Sequence, residues 1–286
     1  MRSASTTGVS AGTAQPVADA SRAEIAPRIV SAAVLAPLAL AAAYAGGLVF
    51  AALIAIFAFV MTWEWARLVN EGRFGGEGVV MIAVVAAALA AGIVSGPITG
   101  VIVAGAGAFA AAAVLRQMNA AHADWAAAGI PYVAVPALSL IWLRGETPNG
   151  FFVVVWLFGV VWATDVAAYF AGRKWGTLLL APSISPHKTW AGAIGGLIAA
   201  LALSAAVAPV IAPSYPVALV ALGSVLSVAG QFGDLFESLV KRRFGVKDTS
   251  EIIPGHGGAL DRADSLIAAA PVAALALWSG VLSPWP

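Results

Sequence analysis

Between Ser238 and Asp264 the chain runs SLVKRRFGVKDTSEIIPGHGGALDRAD, a concentration of basic and acidic residues in an otherwise apolar protein. Ionised groups are costly near hydrocarbon, so such a cluster beside apolar spans marks a site of function. Paired carboxylates suit a hard divalent cation, and Lys and Arg suit phosphates. The turn Pro254-Gly255-His256-Gly257-Gly258 can bring backbone N–H groups up to an anion at a helix start. Just upstream, Asp234, Glu237, Ser238 and Lys241 stand at i, i+3, i+4 and i+7, which is one face of a helix. The plain alternative is a helix end with snorkelling, solvated charges, but Asp234 is deep and short for that. Asp261 and Asp264 are three apart and share a face. Helix capping accounts for one of these carboxylates and hardly for both with Arg262 between them.

Two further stretches carry polar chemistry. Ser185-Pro186-His187-Lys188-Thr189-Trp190, leading to Gly192, Gly195 and Gly196, offers a cation and two hydroxyls for a phosphate, and the glycines permit close helix packing. Asp165, in Trp162-Ala163-Thr164-Asp165, is an intramembrane carboxylate that either meets substrate or metal or pairs with a neighbouring cation. Glu64 between Trp63 and Trp65 reads as part of an interfacial anchor. The chain has no cysteine, which excludes disulfides and thiolate chemistry, and its three histidines are scattered. There is no P-loop, so Lys188-Thr189 is not a nucleotide-binding motif of that kind.

The elements that must position these residues are hydrophobic helices. Of 286 residues, 61% are hydrophobic and 10% charged, the composition of a polytopic membrane protein. At about 20 apolar residues per crossing, the pattern predicts an all-α, polytopic transmembrane helical bundle of about nine spans. They fall near 29–45, 47–66, 78–95, 97–114, 127–143, 150–171, 190–211, 216–240 and 263–283. The fifth is short, holds Pro131 and Pro136, and is expected to be tilted or broken. With the N-terminus in the cytoplasm, every Lys and Arg except Arg144 falls on the cytoplasmic side. Counting along the spans then puts Asp165, Asp234, Asp261 and Asp264 in one layer near that interface. The expected organisation is a disordered cytoplasmic tail over 1–27, N-terminal transmembrane helices over 28–144, and C-terminal catalytic helices with cytoplasmic loops over 145–286.

The pattern Ser238, Lys241-Arg242, Lys247-Asp248, Pro254-Gly255-His256-Gly257-Gly258, Asp261-Arg262 and Asp264 resembles the signature of the phosphatidate cytidylyltransferases, also called CDP-diacylglycerol synthases. The 185–192 stretch is similar to that family's Ser-Pro-x-Lys-Thr-Trp-x-Gly segment, except that Ala191 stands where the family commonly has Glu, which leaves that carboxylate's role open here. The resemblance implies transfer of the cytidylyl group of CTP to phosphatidate in a bacterial inner membrane, giving CDP-diacylglycerol and pyrophosphate. It implies Mg²⁺ on Asp234, Asp261 and Asp264, with a second cation such as K⁺ as an option, and a homodimer. No nucleic-acid partner is expected. Lys241 joins the aspartates as catalytic. Ser185, Lys188, Thr189, Ser238, Arg242, Lys247, Asp248, Gly255, Gly257, Gly258, Arg262 and Asp165 are expected at the substrates. His256 is expected to orient its turn or to donate to a phosphate, not to act as a base. Other readings are an enzyme on another lipid phosphate or a polyprenol, or a transporter, which would place its carboxylates near the midplane.

Overall fold

The computed structural model describes residues 33–147, 149–253 and 257–280. The expected N-terminal tail, Gly255 and His256 lie outside them. Among the described residues there are nine helices and one small hairpin. In order they are α1 (Ala33–Ala45), α2 (Gly47–Val69), α3 (Gly76–Ser95), α4 (Pro97–Gln117), α5 (Ala123–Gly145), α6 (Gly150–Trp175), β1 (Leu179–Ala181), β2 (Ser185–Thr189), α7 (Trp190–Ile211), α8 (Pro216–Arg243) and α9 (Leu260–Trp278). Seven of them, α2 to α8, are long and apolar enough to cross a membrane. The described part of α1 is shorter, and α9 carries Asp261, Arg262 and Asp264 in its first turns. The chain is an all-helical, multi-pass membrane protein. Large apolar side chains such as Val94, Phe109 and Val210 are exposed on its flanks, where hydrocarbon tails take the place of water.

Two apolar cores hold the bundle. One lies among α2, α3, α4 and α5 and reaches Val240 and Leu260. The other joins α1, the end of α5, and α6 to α9. α5 contributes to both, and it is the most buried of the seven long helices. The expectation of a short or broken fifth span is therefore corrected. α5 runs unbroken over 23 residues with Pro131 and Pro136 inside it. It is extended at its start, where Asp124 pairs with Arg116 at 2.5 Å and the Trp125 carbonyl accepts from Trp65 Nε1 at 2.8 Å.

Arg144, the exception to the charge rule, has a local task. Its guanidinium donates to the carbonyls of Ala43 and Tyr44, two of the unpaired acceptors at the end of α1. The chain then turns through Gly46 at φ 63°, where a Cβ would run into Arg144.

Glycines decide how closely the helices around the site approach. A Cβ on Gly196 would lie 2.9 Å from the Thr164 carbonyl oxygen, and one on Gly192 the same distance from that of Ala168, so α7 lies directly against α6. Gly233 does this between α8 and α9, where a Cβ would stand 2.5 Å from the Asp264 carbonyl oxygen. Gly233→Ala is expected to force α9 away from α8 beside Asp234. Overpacking of this kind costs about 1–3 kcal/mol, so a lower unfolding temperature in detergent together with reduced activity is the expected result. An unchanged melt would show that the two helices separate freely.

The segment between α6 and α7, expected as a loop, contains the antiparallel pair β1–β2. Thr189 ends β2 and caps α7, its Oγ1 accepting from Gly192 N at 3.1 Å. This hairpin carries Lys188 back over the ends of α6 and α8.

Candidate active site

A cavity of about 680 Å³ opens where α6, α7, α8, α9 and the hairpin meet. Asp165, Asp234, Asp261 and Asp264 all line it, and Lys188, Lys241 and Arg262 face them. Each helix delivers its residue by simple periodicity. On α6, Asp165, Tyr169 and Arg173 are four apart, and on α8, Gln231, Asp234 and Lys241 follow at i, i+3 and i+10.

Charge pairing inside the cavity is specific. Lys188 Nζ lies 2.6 Å from Asp234 Oδ2. Lys241 Nζ donates to Asp261 Oδ1 at 2.7 Å and lies 3.4 Å from Glu237 Oε1. Both Asp261 and Glu237 are almost wholly buried, with 3% and 2% of their side chains exposed, so Lys241 is a counter-ion held in place rather than a solvated lysine. Asp234 stands close enough to Asp165 and to Asp264 for their charges to repel. Asp264 Oδ1 accepts from Ser265 N at 2.7 Å, and Ser265 Oγ lies 3.4 Å from Asp165 Oδ1.

Asp261 divides its oxygens between two tasks. Oδ2 accepts from Thr249 N at 2.9 Å, Thr249 Oγ1 at 2.9 Å and Gly258 N at 2.8 Å, which closes the loop between α8 and α9. Oδ1 accepts from Lys241, and Asp261 lines the cavity. The N–H of Gly258 is thus already taken by a carboxylate, and the next two, Ala259 and Leu260, donate to Glu64 at 2.9 and 2.7 Å. Of the glycine-rich turn expected to offer amides to a phosphate, Gly258 therefore has its N–H engaged within the protein.

The donor set bears on a metal as follows. Among the described residues no three His, Asp or Glu are gathered tightly enough to enclose an ion by themselves. Lys188 is paired with Asp234, and Lys241 with Asp261 and Glu237. Mg²⁺, however, is usually held by one or two carboxylates together with substrate phosphates. Mutually repelling carboxylates on the wall of one open cavity, with Asp261 Oδ1 beside them, fit a cation held in that shared fashion.

The remaining predicted residues take up other places. Asp248 and Thr189 line the cavity, the latter buried and engaged as a cap. Ser185 and Ser238 are half-buried away from the cavity lining, and Lys247 is exposed on the rim loop. Arg242 braces the hairpin, its Nε donating to the Ile184 carbonyl at 3.4 Å. Gly257 sits at φ 80°, where a Cβ would stand 2.8 Å from Asp261 Oδ2, and Ile253 N donates to its carbonyl at 2.9 Å. The reading of sequence missed Arg173, Gln231 and Ser265 in the cavity wall. Arg173 and Gln231 were accessible from the helical spacing just given. It also misread Trp63-Glu64-Trp65. Trp65 is 1% exposed and packs on Tyr132 with ring centroids 4.7 Å apart, and Glu64 is wholly buried, so these two belong to the core, while half-buried Trp63 stacks under Arg67.

A second, apolar cavity of about 470 Å³ lies beside the first, walled by α1, α2, α5, α6 and α9. Phe50, Leu53, Phe57, Leu140 and Leu266 line it, and among the described residues its one charged wall residue is Arg262, which lines the polar cavity as well.

The chain is similar in sequence to proteins of one family. The model of the cytidylyltransferase family matches residues 26–279. The phosphatidate cytidylyltransferase of Brucella suis biovar 1 is 40% identical over 249 residues, covering 85% of this chain and 89% of the relative. That of Pseudomonas aeruginosa is 37% identical over 265 residues, covering 88% and 96%. With the family pattern spanning both cavities and all the helices that line them, the chain belongs to the cytidylyltransferase family.

Proposed function

We propose that this protein is a phosphatidate cytidylyltransferase, which joins CTP to phosphatidate and releases pyrophosphate. The observation that carries the reading is the pair of cavities meeting at Arg262. One is polar and lined with cations and carboxylates, as a nucleoside triphosphate requires. The other is apolar and continuous with the membrane-embedded helices, as acyl chains require. Arg262 stands where the lipid's phosphate would sit between them.

A phosphate oxygen of phosphatidate attacks the α-phosphorus of CTP, the bond from that phosphorus to the β-phosphate bridging oxygen breaks, and pyrophosphate leaves. The second ionisation of a phosphate monoester falls near pH 6, at about that value, so the nucleophile needs no base at neutral pH. The task left to the protein is in-line positioning and charge neutralisation. Lys188 and Lys241 supply positive charge to the triphosphate while Asp234 and Asp261 hold their ammonium groups in place. Arg262 orients the lipid phosphate by its planar fork. Asp234, Asp261 and Asp264 would hold Mg²⁺, which would neutralise charge on the phosphoryl oxygens.

Purified protein incubated with CTP is expected to release pyrophosphate only when phosphatidate is added. Release that is equal with a polyprenyl phosphate, or equal with ATP and UTP in place of CTP, would sink the assignment.

The same reading puts the N-terminus and residues 238–261 on the cytoplasmic side of a bacterial inner membrane, an orientation supported by the bias of Lys and Arg. The family resemblance adds a homodimer. Glu251 is exposed on the loop between α8 and α9. Glu251→Cys in this cysteine-free chain is expected to resist an impermeant thiol reagent on intact cells and to react after lysis. Labelling from outside would invert the orientation.

A further inference from the structure

We propose that Glu64, on α2 and far in sequence from the cavity-lining residues, is a positioning residue for the reaction, which holds the first turn of α9 and with it Asp261, Arg262 and Asp264. The inference rests on the function assigned above. Glu64 is wholly buried, and its carboxylate meets three donors from the signature segment. Oε1 accepts from Ser250 Oγ at 2.5 Å and Ala259 N at 2.9 Å, and Oε2 accepts from Leu260 N at 2.7 Å. A buried carboxylate is costly unless its acceptor sites are filled. Here they are filled by the beginning and the end of one loop.

The consequence is geometric. Asp261 holds Thr249 to Gly258, and Glu64 holds Ser250 to Ala259 and Leu260, so two carboxylates from different helices close the mouth of the loop at adjacent positions. Leu260 immediately precedes Asp261 and Arg262. A Cβ on Gly258 would stand 2.1 Å from Thr249 Oγ1 and 2.6 Å from Glu64 Oε1, which leaves this junction no room to relax. Glu64 does not line the cavity, so it acts through these residues and not on the substrates.

Glu64→Gln tests this because it keeps size and shape. The amide has one acceptor oxygen, and its nitrogen presents hydrogens to a backbone N–H. Whichever way it lies, Leu260 N or the pair Ala259 N and Ser250 Oγ loses its acceptor. A displacement of about 1 Å at reacting groups costs on the order of a hundredfold in rate. For the full-length protein in phosphatidate-containing micelles, kcat is therefore expected to fall by about 30- to 100-fold, with the KM for CTP and for phosphatidate changed by less than about threefold. Hydrogen–deuterium exchange should rise in peptides covering 249–266 and stay unchanged elsewhere. Ser250→Ala removes one donor and leaves both backbone bonds, so a smaller loss of kcat with the same local pattern of exchange is expected.

Unchanged kcat in Glu64→Gln overturns the proposal. So does exchange that rises throughout the molecule, since that marks a residue needed for folding in general. If Glu64→Gln does not fold, Ser250→Ala decides, and wild-type kcat with wild-type exchange in 249–266 counts against it. Should the wild-type protein release no pyrophosphate from CTP and phosphatidate, the assigned reaction fails, while the exchange data still show whether Glu64 grips this junction.

Discussion

Asp264→Asn is expected to reduce turnover by about a hundredfold or more while leaving insertion and the unfolding temperature close to wild type. Even partners that only support a metal ligand are worth about 10- to 100-fold, and a ligand's own charge should be worth at least as much. Asn keeps the shape of the side chain and one acceptor oxygen, so Ser265 N retains its bond. What is lost is one of three acidic side chains, with Asp234 and Glu237, that crowd this buried position. Crowding buried acids is costly without a cation, so replacing one by a neutral amide should not weaken the fold. The predicted signature is thus a stable protein that turns over slowly and needs more Mg²⁺ for half-maximal rate. Asp234→Asn should behave alike in rate but also frees Lys188 from its ion pair, and is the less clean of the two. Near-wild-type rate for Asp264→Asn at an unchanged Mg²⁺ requirement would remove this residue from the proposed metal site.

How far the sequence reveals such a site depends on the range of the interactions involved. Hydropathy is summed over some 20 neighbours, and the described helices follow the apolar runs closely, α9 starting three residues before its expected span. Counting turns along those helices was enough to expect Asp165, Asp234, Asp261 and Asp264 at one depth, and all four line a single cavity. The continuity of α5 was hidden because two prolines weaken a helix locally, whereas contacts from helices on several sides restore it. The hairpin was hidden because strands of three and five residues carry too little periodicity to read. Glu64 was hidden for a stronger reason. Its partners are 186 to 196 residues away, and a carboxylate between two tryptophans has no local mark to distinguish an anchor from a buried acceptor. The same distance explains why the glycine-rich turn looked like a free anion nest: the carboxylate that occupies two of its neighbouring amides comes from α2.

Arg262→Ala carries the second large effect, and it separates the two substrates. Arg262 is the one residue among the described ones that lines both the polar and the apolar cavity while bearing a positive charge. Removing one member of a charged hydrogen-bonded pair costs about 2–5 kcal/mol, and each 1.4 kcal/mol is tenfold, so a loss of about 30-fold or more in kcat/KM for phosphatidate is expected. The KM for CTP should move much less, because Lys188 and Lys241 remain on the triphosphate side. Arg262→Lys keeps the charge and loses the planar fork, so it should recover part of the loss and not all of it. The apolar cavity gives an independent check through acyl length. Leu53→Trp narrows that cavity without touching a charged group, and should weaken long-chain phosphatidate more than a short-chain, soluble analogue. Arg262→Ala with a raised KM for CTP alone, or Leu53→Trp with equal effects on short and long chains, would place the lipid elsewhere. Taken jointly, a phosphate effect at Arg262 and a chain-length effect at Leu53 can arise only from one molecule that spans both cavities, with its charged end at α9 and its tails against α2.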